Sequence, residues 1–82
     1  MADSASGGTG VLVAREAVVT EVTLRGDAVG AGSVVLDDNG ILKWRLGTPA
    51  LNRSSTVRLH GLQFSTNVTA TVVNGTVYIE YI

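Results

Sequence analysis

The stretch SVVLDDNGILKWRL, residues 33–46, decides the fold. At its centre stands Asn39-Gly40, and both residues tolerate the positive φ angles of a type I′ turn. On either side, residues alternate between two faces with the period of a β-strand, so the stretch predicts a β-hairpin. We expect one face to carry Val34, Leu36, Leu42, Trp44 and Leu46, and the other to carry Ile41, Lys43 and Arg45.

The same alternation continues through most of the chain, and Asn74-Gly75 predicts a second hairpin turn. The segments Gly26–Gly32 and Gly47–Ser55 are expected to be loops, since they interrupt the pattern with glycine and proline. Thirteen valines and nine threonines favour strands, because β-branched side chains pack well on a pleated sheet. The residues expected to point inward are Val18, Thr20, Val22 and Leu24; Val57, Leu59 and Gly61; Val68, Ala70 and Val72; and Val77, Ile79 and Tyr81.

Six to eight short strands at this spacing predict an all-β fold without significant helix. We expect a small antiparallel β-sandwich or jelly-roll-like domain, with a small barrel as the alternative. The 82 residues leave room for one domain. Residues 1–10 are small and glycine-rich and predict a flexible N-terminal arm, and residues 11–82 are expected to form the single β-sandwich domain.

Composition excludes several classes of protein. The absence of cysteine excludes a disulfide framework and a thiolate zinc site. A net charge of −1 provides no attraction to nucleic acid or to an anionic membrane, so neither is expected as a partner. The N-terminus resembles no secretory signal, and we expect the protein to be made in a cytoplasm.

No group of residues predicts catalysis, a cofactor or a metal site. His60 is the only histidine, and its place in an alternating strand is typical of a surface histidine. Asp37, Asp38 and Asn39 could be considered as calcium ligands, but the turn they form explains them and the further ligands of a calcium loop are missing. We therefore expect no enzymatic activity.

The outward strand positions carry many apolar residues and few Lys or Glu. Such a face is what a subunit interface requires, because solvated strands are usually richer in charge. In a chain this small, burial by other subunits would supply stability that a single core lacks. The predicted interface residues are Val19, Val35, Ile41, Val73, Tyr78 and Ile82.

The region from Val18 to Tyr81 resembles small virion proteins of tailed bacteriophages. The resemblance rests on the segments Val34–Gly40, Gly61–Thr66 (GLQFST), Asn67–Val73 and Thr76–Tyr81 (TVYIEY). It implies a structural protein of the virion, made in the host cytoplasm and bound to the capsid surface as a decoration (cement) protein. Gly61 would then permit a bulge or corner, and Phe64 would anchor the core. The expected partners are copies of the same chain, with a homotrimer favoured, and the major capsid protein or another virion protein.

Two other functions remain open. The chain could be a fibre or adhesin-type module that binds a carbohydrate or a partner protein, with the loops presenting polar groups and Tyr78 or Trp44 stacking on sugar. It could also be an adaptor at the head–tail junction, which would use the same surfaces.

Overall fold

The computed structural model describes residues 3–27, 31–47 and 54–82, which form eight strands and no helix. The all-β fold predicted from the sequence is confirmed. The strands are β1 (Asp3–Gly7), β2 (Gly10–Val13), β3 (Ala17–Gly26), β4 (Ser33–Asp38), β5 (Ile41–Gly47), β6 (Ser54–Phe64), β7 (Val68–Val73) and β8 (Gly75–Tyr81).

The strands form two antiparallel four-stranded sheets. Sheet A has the order β1-β8-β3-β6, and sheet B has the order β2-β7-β4-β5. The two halves of the chain pair with each other as one long antiparallel hairpin. Its strand pairs are β1–β8, β2–β7, β3–β6 and β4–β5. Because this ribbon is rolled so that successive pairs alternate between the sheets, the topology is that of a jelly roll.

The core lies between the sheets and is built from the inward residues of the central strands. Val34 and Leu36 of β4 are fully buried, and Val77 and Ile79 of β8, in the opposite sheet, belong to the same buried cluster. Phe64, at the end of β6, is the largest fully buried side chain, as expected. The central turn of the β4–β5 hairpin is also as expected, with positive φ angles at Asn39 (49°) and Gly40 (92°).

Two bulges change which residues face the core. In β3 the register shifts between Val19 and Glu21, so Thr20 is an extra residue relative to β8. Val19 is consequently fully buried, and its assignment to the exposed interface face is wrong. On the partner strand β6 the register shifts at the same level, and Gly61 there has a φ of 92°, as expected for a bulge.

The second bulge lies in β5, where Leu36 pairs with Trp44 but Asp37 pairs with Leu42. Lys43 is the extra residue. The bulge moves Leu42 to the outer face of sheet B, where its side chain is 54% exposed, so the expectation that Leu42 faces the core is wrong. Trp44 and Leu46 still point inward and are half-buried against the core.

The predicted hairpin at Asn74-Gly75 is wrong, because β7 belongs to sheet B and β8 to sheet A. Asn74 does have the positive φ expected of a turn residue (52°), but the chain crosses between the sheets there. Gly75 then lies so close to β3 that a Cβ atom on it would be 2.5 Å from the carbonyl oxygen of Arg25. The glycine is therefore required by the close approach of two backbones.

This geometry predicts that Gly75→Ala lowers the free energy of unfolding by about 1–3 kcal/mol, because the backbone of β3 must move away from the new methyl group. The measurement is urea unfolding followed by the fluorescence of the single tryptophan. Gly8→Ala is the matched control, since a Cβ atom at Gly8 would meet no atom within 4 Å. Equal stability of the two variants would contradict the packing described at Gly75.

The N-terminal arm predicted over residues 1–10 is wrong for residues 3–10. Residues 3–7 form β1 along β8, and Gly10 begins β2. Arg15 holds this end of the chain by pairing with Asp3 (3.9 Å) and by lying over the ring of Tyr81 (5.4 Å from its centroid). The expected loops fall largely on residues 28–30 and 48–53, outside the described residues. Within the described ranges, no helix has the length and apolar character of a membrane span.

Candidate interaction surface

The outer face of sheet B is poor in charge on β2, β7 and β4, whereas β5 carries Lys43 and Arg45. We call the outward residues of β2, β7 and β4 the sheet B face; they are Val11, Ser33, Val35, Asp37, Thr69, Thr71 and Val73. Pairing places Val11, Thr69 and Asp37 in one row across the strands and Thr71 beside Val35 in the next. Asp37 is the only charged residue of this face, and its carboxylate accepts a hydrogen bond from Gly40 N–H (3.1 Å).

The outer face of sheet A has a different chemistry. One row across its strands contains Glu80, Glu21 and Arg58, and the ion pair between Arg58 Nε and Glu21 Oε2 is 3.6 Å long. In the next row, the hydroxyls of Thr23 and Thr56 are 2.9 Å apart. Charged and hydrogen-bonding side chains of this kind are typical of a solvated sheet face, so the two faces of the sandwich are not equivalent.

Two open depressions lie on the outer face of sheet A. One, of about 470 Å³, is lined by residues that include Glu21, Arg58, His60 and Glu80. The other, of about 140 Å³, brings Tyr78 beside the carboxylates of Glu21 and Glu80. His60 is therefore exposed at the rim of a sheet surface, as the alternation predicted. In the described ranges, no cluster of three or more histidine, aspartate or glutamate residues could hold a metal ion.

The six predicted interface residues do not form one patch. Val35 and Val73 lie on the sheet B face, half-buried and 51% exposed respectively. Tyr78 lies on the outer face of sheet A, and Ile82 follows β8 at the same sheet. Ile41 is 66% exposed beside the β4–β5 turn, and Val19 belongs to the core.

Two exposed members of the sheet B face, Val11 and Thr71, are not among the six predicted interface residues. Val11 is 59% exposed and Thr71 is exposed in the centre of the face. Alternation with Ala70 and Val72 already predicted that Thr71 points outward, whereas Val11 lies in a short strand whose neighbours Gly10 and Leu12 are only partly buried.

The Asp38 carboxylate connects two loops at one end of the sandwich by hydrogen bonds. Asp38 is the only buried charged residue among those described (5% exposed), and it accepts hydrogen bonds from the backbone N–H groups of Ser65 (2.7 Å), Thr66 (2.9 Å) and Asn67 (3.3 Å). The Asn67 side chain extends this hydrogen-bond network by accepting a hydrogen bond from Asn39 N–H (3.0 Å). The hairpin turn is thereby tied to the β6–β7 connection, which explains the acidic turn residues without a ligand.

The same hydrogen bonds also determine the protonation state of Asp38. Donation by Ser65 N–H is the main cause that holds the pKa of Asp38 below its ordinary value of 3.8, and Thr66, Asn67 and the nearby Lys43 act in the same direction. Burial raises the pKa of Asp38, but the hydrogen bonds and Lys43 together lower it by more. Asp38 is therefore an ionised structural anchor near neutral pH.

Four basic residues lie on two edge strands at one side of the sandwich, whereas Arg15 and Arg25 lie elsewhere. Lys43 and Arg45 lie on β5, and Arg58 and His60 lie on β6, and these strands are the last ones in their sheets at the same side of the sandwich. A signal for this arrangement is present in the sequence, since residues 39–79 contain no aspartate or glutamate.

Comparison with known proteins found no match to a family model, to a curated protein or to a solved structure.

Proposed function

We propose that this protein is a non-enzymatic structural protein of a bacteriophage virion, which binds the capsid surface as a decoration (cement) protein. The observation that carries the proposal is the sheet B face, where valine and threonine side chains cover three adjacent strands with one charged residue among them. Flat, weakly charged strand faces are suited to association with another protein, because little charge must be desolvated.

Further support comes from the topology and from the resemblance of residues 18–81 to small phage virion proteins. Jelly rolls are common in viral capsid proteins, although the fold also occurs in lectins and does not by itself define function. In this proposal the sheet B face contacts the major capsid protein or a second copy of the chain, with a homotrimer as the favoured assembly. The protein then resides in the virion.

The location is tested by mass spectrometry of purified phage particles. A decoration protein is expected at a copy number of the same order as the major capsid protein. A few copies per particle would instead place the chain in the tail or at the head–tail junction, and its absence from particles would overturn the proposal.

The surface is tested by placing a charge on it. We expect Thr71→Arg to weaken binding to capsids by about tenfold or more, since an unpaired guanidinium would be buried in the contact. Ser6→Arg is the matched control, because Ser6 is an exposed strand residue on the outer face of sheet A. Binding is measured by co-sedimentation with capsids, and both variants should keep the unfolding temperature of the parent. Equal capsid binding by the two variants would assign the contact to another surface.

One observation favours a second function, recognition of a carbohydrate. Tyr78 is 40% exposed beside Ser4, Glu21 and Glu80, a group that combines an aromatic ring with hydroxyl and carboxylate oxygens. Such groups stack on sugar rings and bind their hydroxyls. A glycan array should then show hits that Tyr78→Ala abolishes, and an array without hits removes this function.

A further inference from the structure

The strands β5 and β6 form one lateral side of the sandwich, and β1 and β2, which also pair with one neighbour each, form the opposite side. Each of these strands pairs with only one neighbour among the described residues, β5 with β4 and β6 with β3. We call these two strands, Ile41–Gly47 and Ser54–Phe64, the open edge. Unpaired strand edges present free N–H and C=O groups, so the open edge is able to accept a further strand.

Apolar side chains along the open edge point between the sheets but are incompletely covered. Trp44 and Leu46 on β5 and Val57 and Leu59 on β6 are only half-buried. The inward residues of the central strands β3, β4 and β8 are buried completely by comparison. A seam of apolar surface therefore runs between the two edge strands, where another apolar side chain would gain contacts.

The open edge is also basic. Lys43, Arg45, Arg58 and His60 lie on its strands, and neither strand contains an acidic residue. Among the described residues, Arg58 has a carboxylate partner in Glu21, whereas Lys43 and Arg45 form no salt bridge. An acidic ligand would find uncompensated positive charge here.

These charges argue against a second copy of β5 or β6 as the occupant. In a pairing of the open edge with itself, Lys43, Arg45 and Arg58 would meet only cations or neutral residues. Basic residues on an edge strand are a common device against self-association. The occupant must therefore supply the acidic groups that the edge lacks.

We propose that the open edge binds an extended segment of a partner protein in which acidic and apolar residues alternate. The segment adds as a strand to β5 over Trp44–Gly47, where the ladder with β4 is regular beyond the bulge at Lys43. Its apolar side chains fill the seam beside Trp44, and its carboxylates face Lys43 and Arg45 on the outer side of β5. The open edge borders the sheet B face along β4, and the inference does not depend on the virion role.

Trp44 provides the measurement, since it is the only tryptophan and lies in the seam. We expect its emission to shift to shorter wavelength as a short peptide of alternating glutamate and valine is titrated up to about 1 mM. A peptide of alternating lysine and valine should leave the emission unchanged. The same glutamate–valine peptide with methylated backbone nitrogens should bind at least tenfold more weakly, because it cannot form the ladder.

Substitutions of the basic residues test whether their charge contributes to peptide binding. Lys43→Gln combined with Arg45→Gln should weaken the binding of the glutamate–valine peptide about fivefold. Ala14→Glu combined with Ser6→Glu makes the same change in net charge at exposed positions just after β2 and in β1, and should leave the affinity within twofold.

Four outcomes would overturn the inference. These are no binding of the glutamate–valine peptide, equal binding of its N-methylated form, an equal effect of the two pairs of substitutions, or preferential binding of a single-stranded oligonucleotide. The last outcome would identify the open edge as a nucleic-acid surface.

Discussion

Replacing Phe64 with alanine should lower the free energy of unfolding by about 3–5 kcal/mol. Phe64 is the only phenylalanine of the chain and the largest of its fully buried side chains, and it pairs across β6 and β3 with the small Ala17. The small Ala17 beside it cannot fill the space that Phe64 would leave. Because small domains have little stability in reserve, we expect the urea midpoint to fall by about 2 M.

The comparison variant for this measurement is Leu42→Ala, which truncates an apolar residue on the outer face of sheet B. Leu42 is 54% exposed, so its loss should change the stability by no more than about 0.5 kcal/mol. If both variants lost the same stability, the core would not be centred where the structure places it.

Replacing Asp38 with alanine should lower the unfolding temperature on the order of 10 °C. The substitution removes the acceptor of three backbone N–H groups and leaves these donors in a partly buried site. Differential scanning calorimetry measures the change. Asp37→Ala is the neighbouring control, and a much smaller decrease is expected because Asp37 accepts one hydrogen bond, at an exposed turn.

Asp38 also predicts a pH dependence. Its pKa is lower in the folded chain than the ordinary value of 3.8, so its contribution to stability is fully present above about pH 4–5 and is lost as the pH falls through the folded pKa. In Asp38→Asn this part of the acid sensitivity should disappear. A parent and a variant that lose stability in parallel between pH 5 and pH 2, within about 1 °C, would show that other carboxylates cause the acid dependence.

The sequence predicted local structure well where one strand and one turn were sufficient. The turn at Asn39-Gly40 and the inward residues of β4, β7 and β8 follow from turn chemistry and from alternation with a period of two. The errors at Val19 and Leu42 have one cause, since a single extra residue in a strand reverses the faces of the residues beyond it. Gly61 indicated one such irregularity, but Thr20 and Lys43 carry no mark of a bulge.

The candidate surfaces were less predictable than the fold. Apolar outward residues were recognised in the sequence, but the structure divides them between the two sheets and leaves only Val35 and Val73 of the predicted set on the sheet B face. The Asp38 carboxylate accepts hydrogen bonds from backbone N–H groups 27–29 residues further along the chain. No local sequence pattern predicts a contact over that separation.

By itself the sequence determined that the chain is all-β, that it turns at Asn39-Gly40, and that residues 39–79 carry no acidic group. These properties depend only on local sequence or on composition, so they hold for any arrangement of the strands. Only the tertiary structure decided that Asn74 leads from one sheet to the other, that Val19 is buried, and that β5 and β6 are the edge strands at one side of the sandwich. Each of these depends on pairings between strands distant in the sequence, and the shared core between the sheets selects among them.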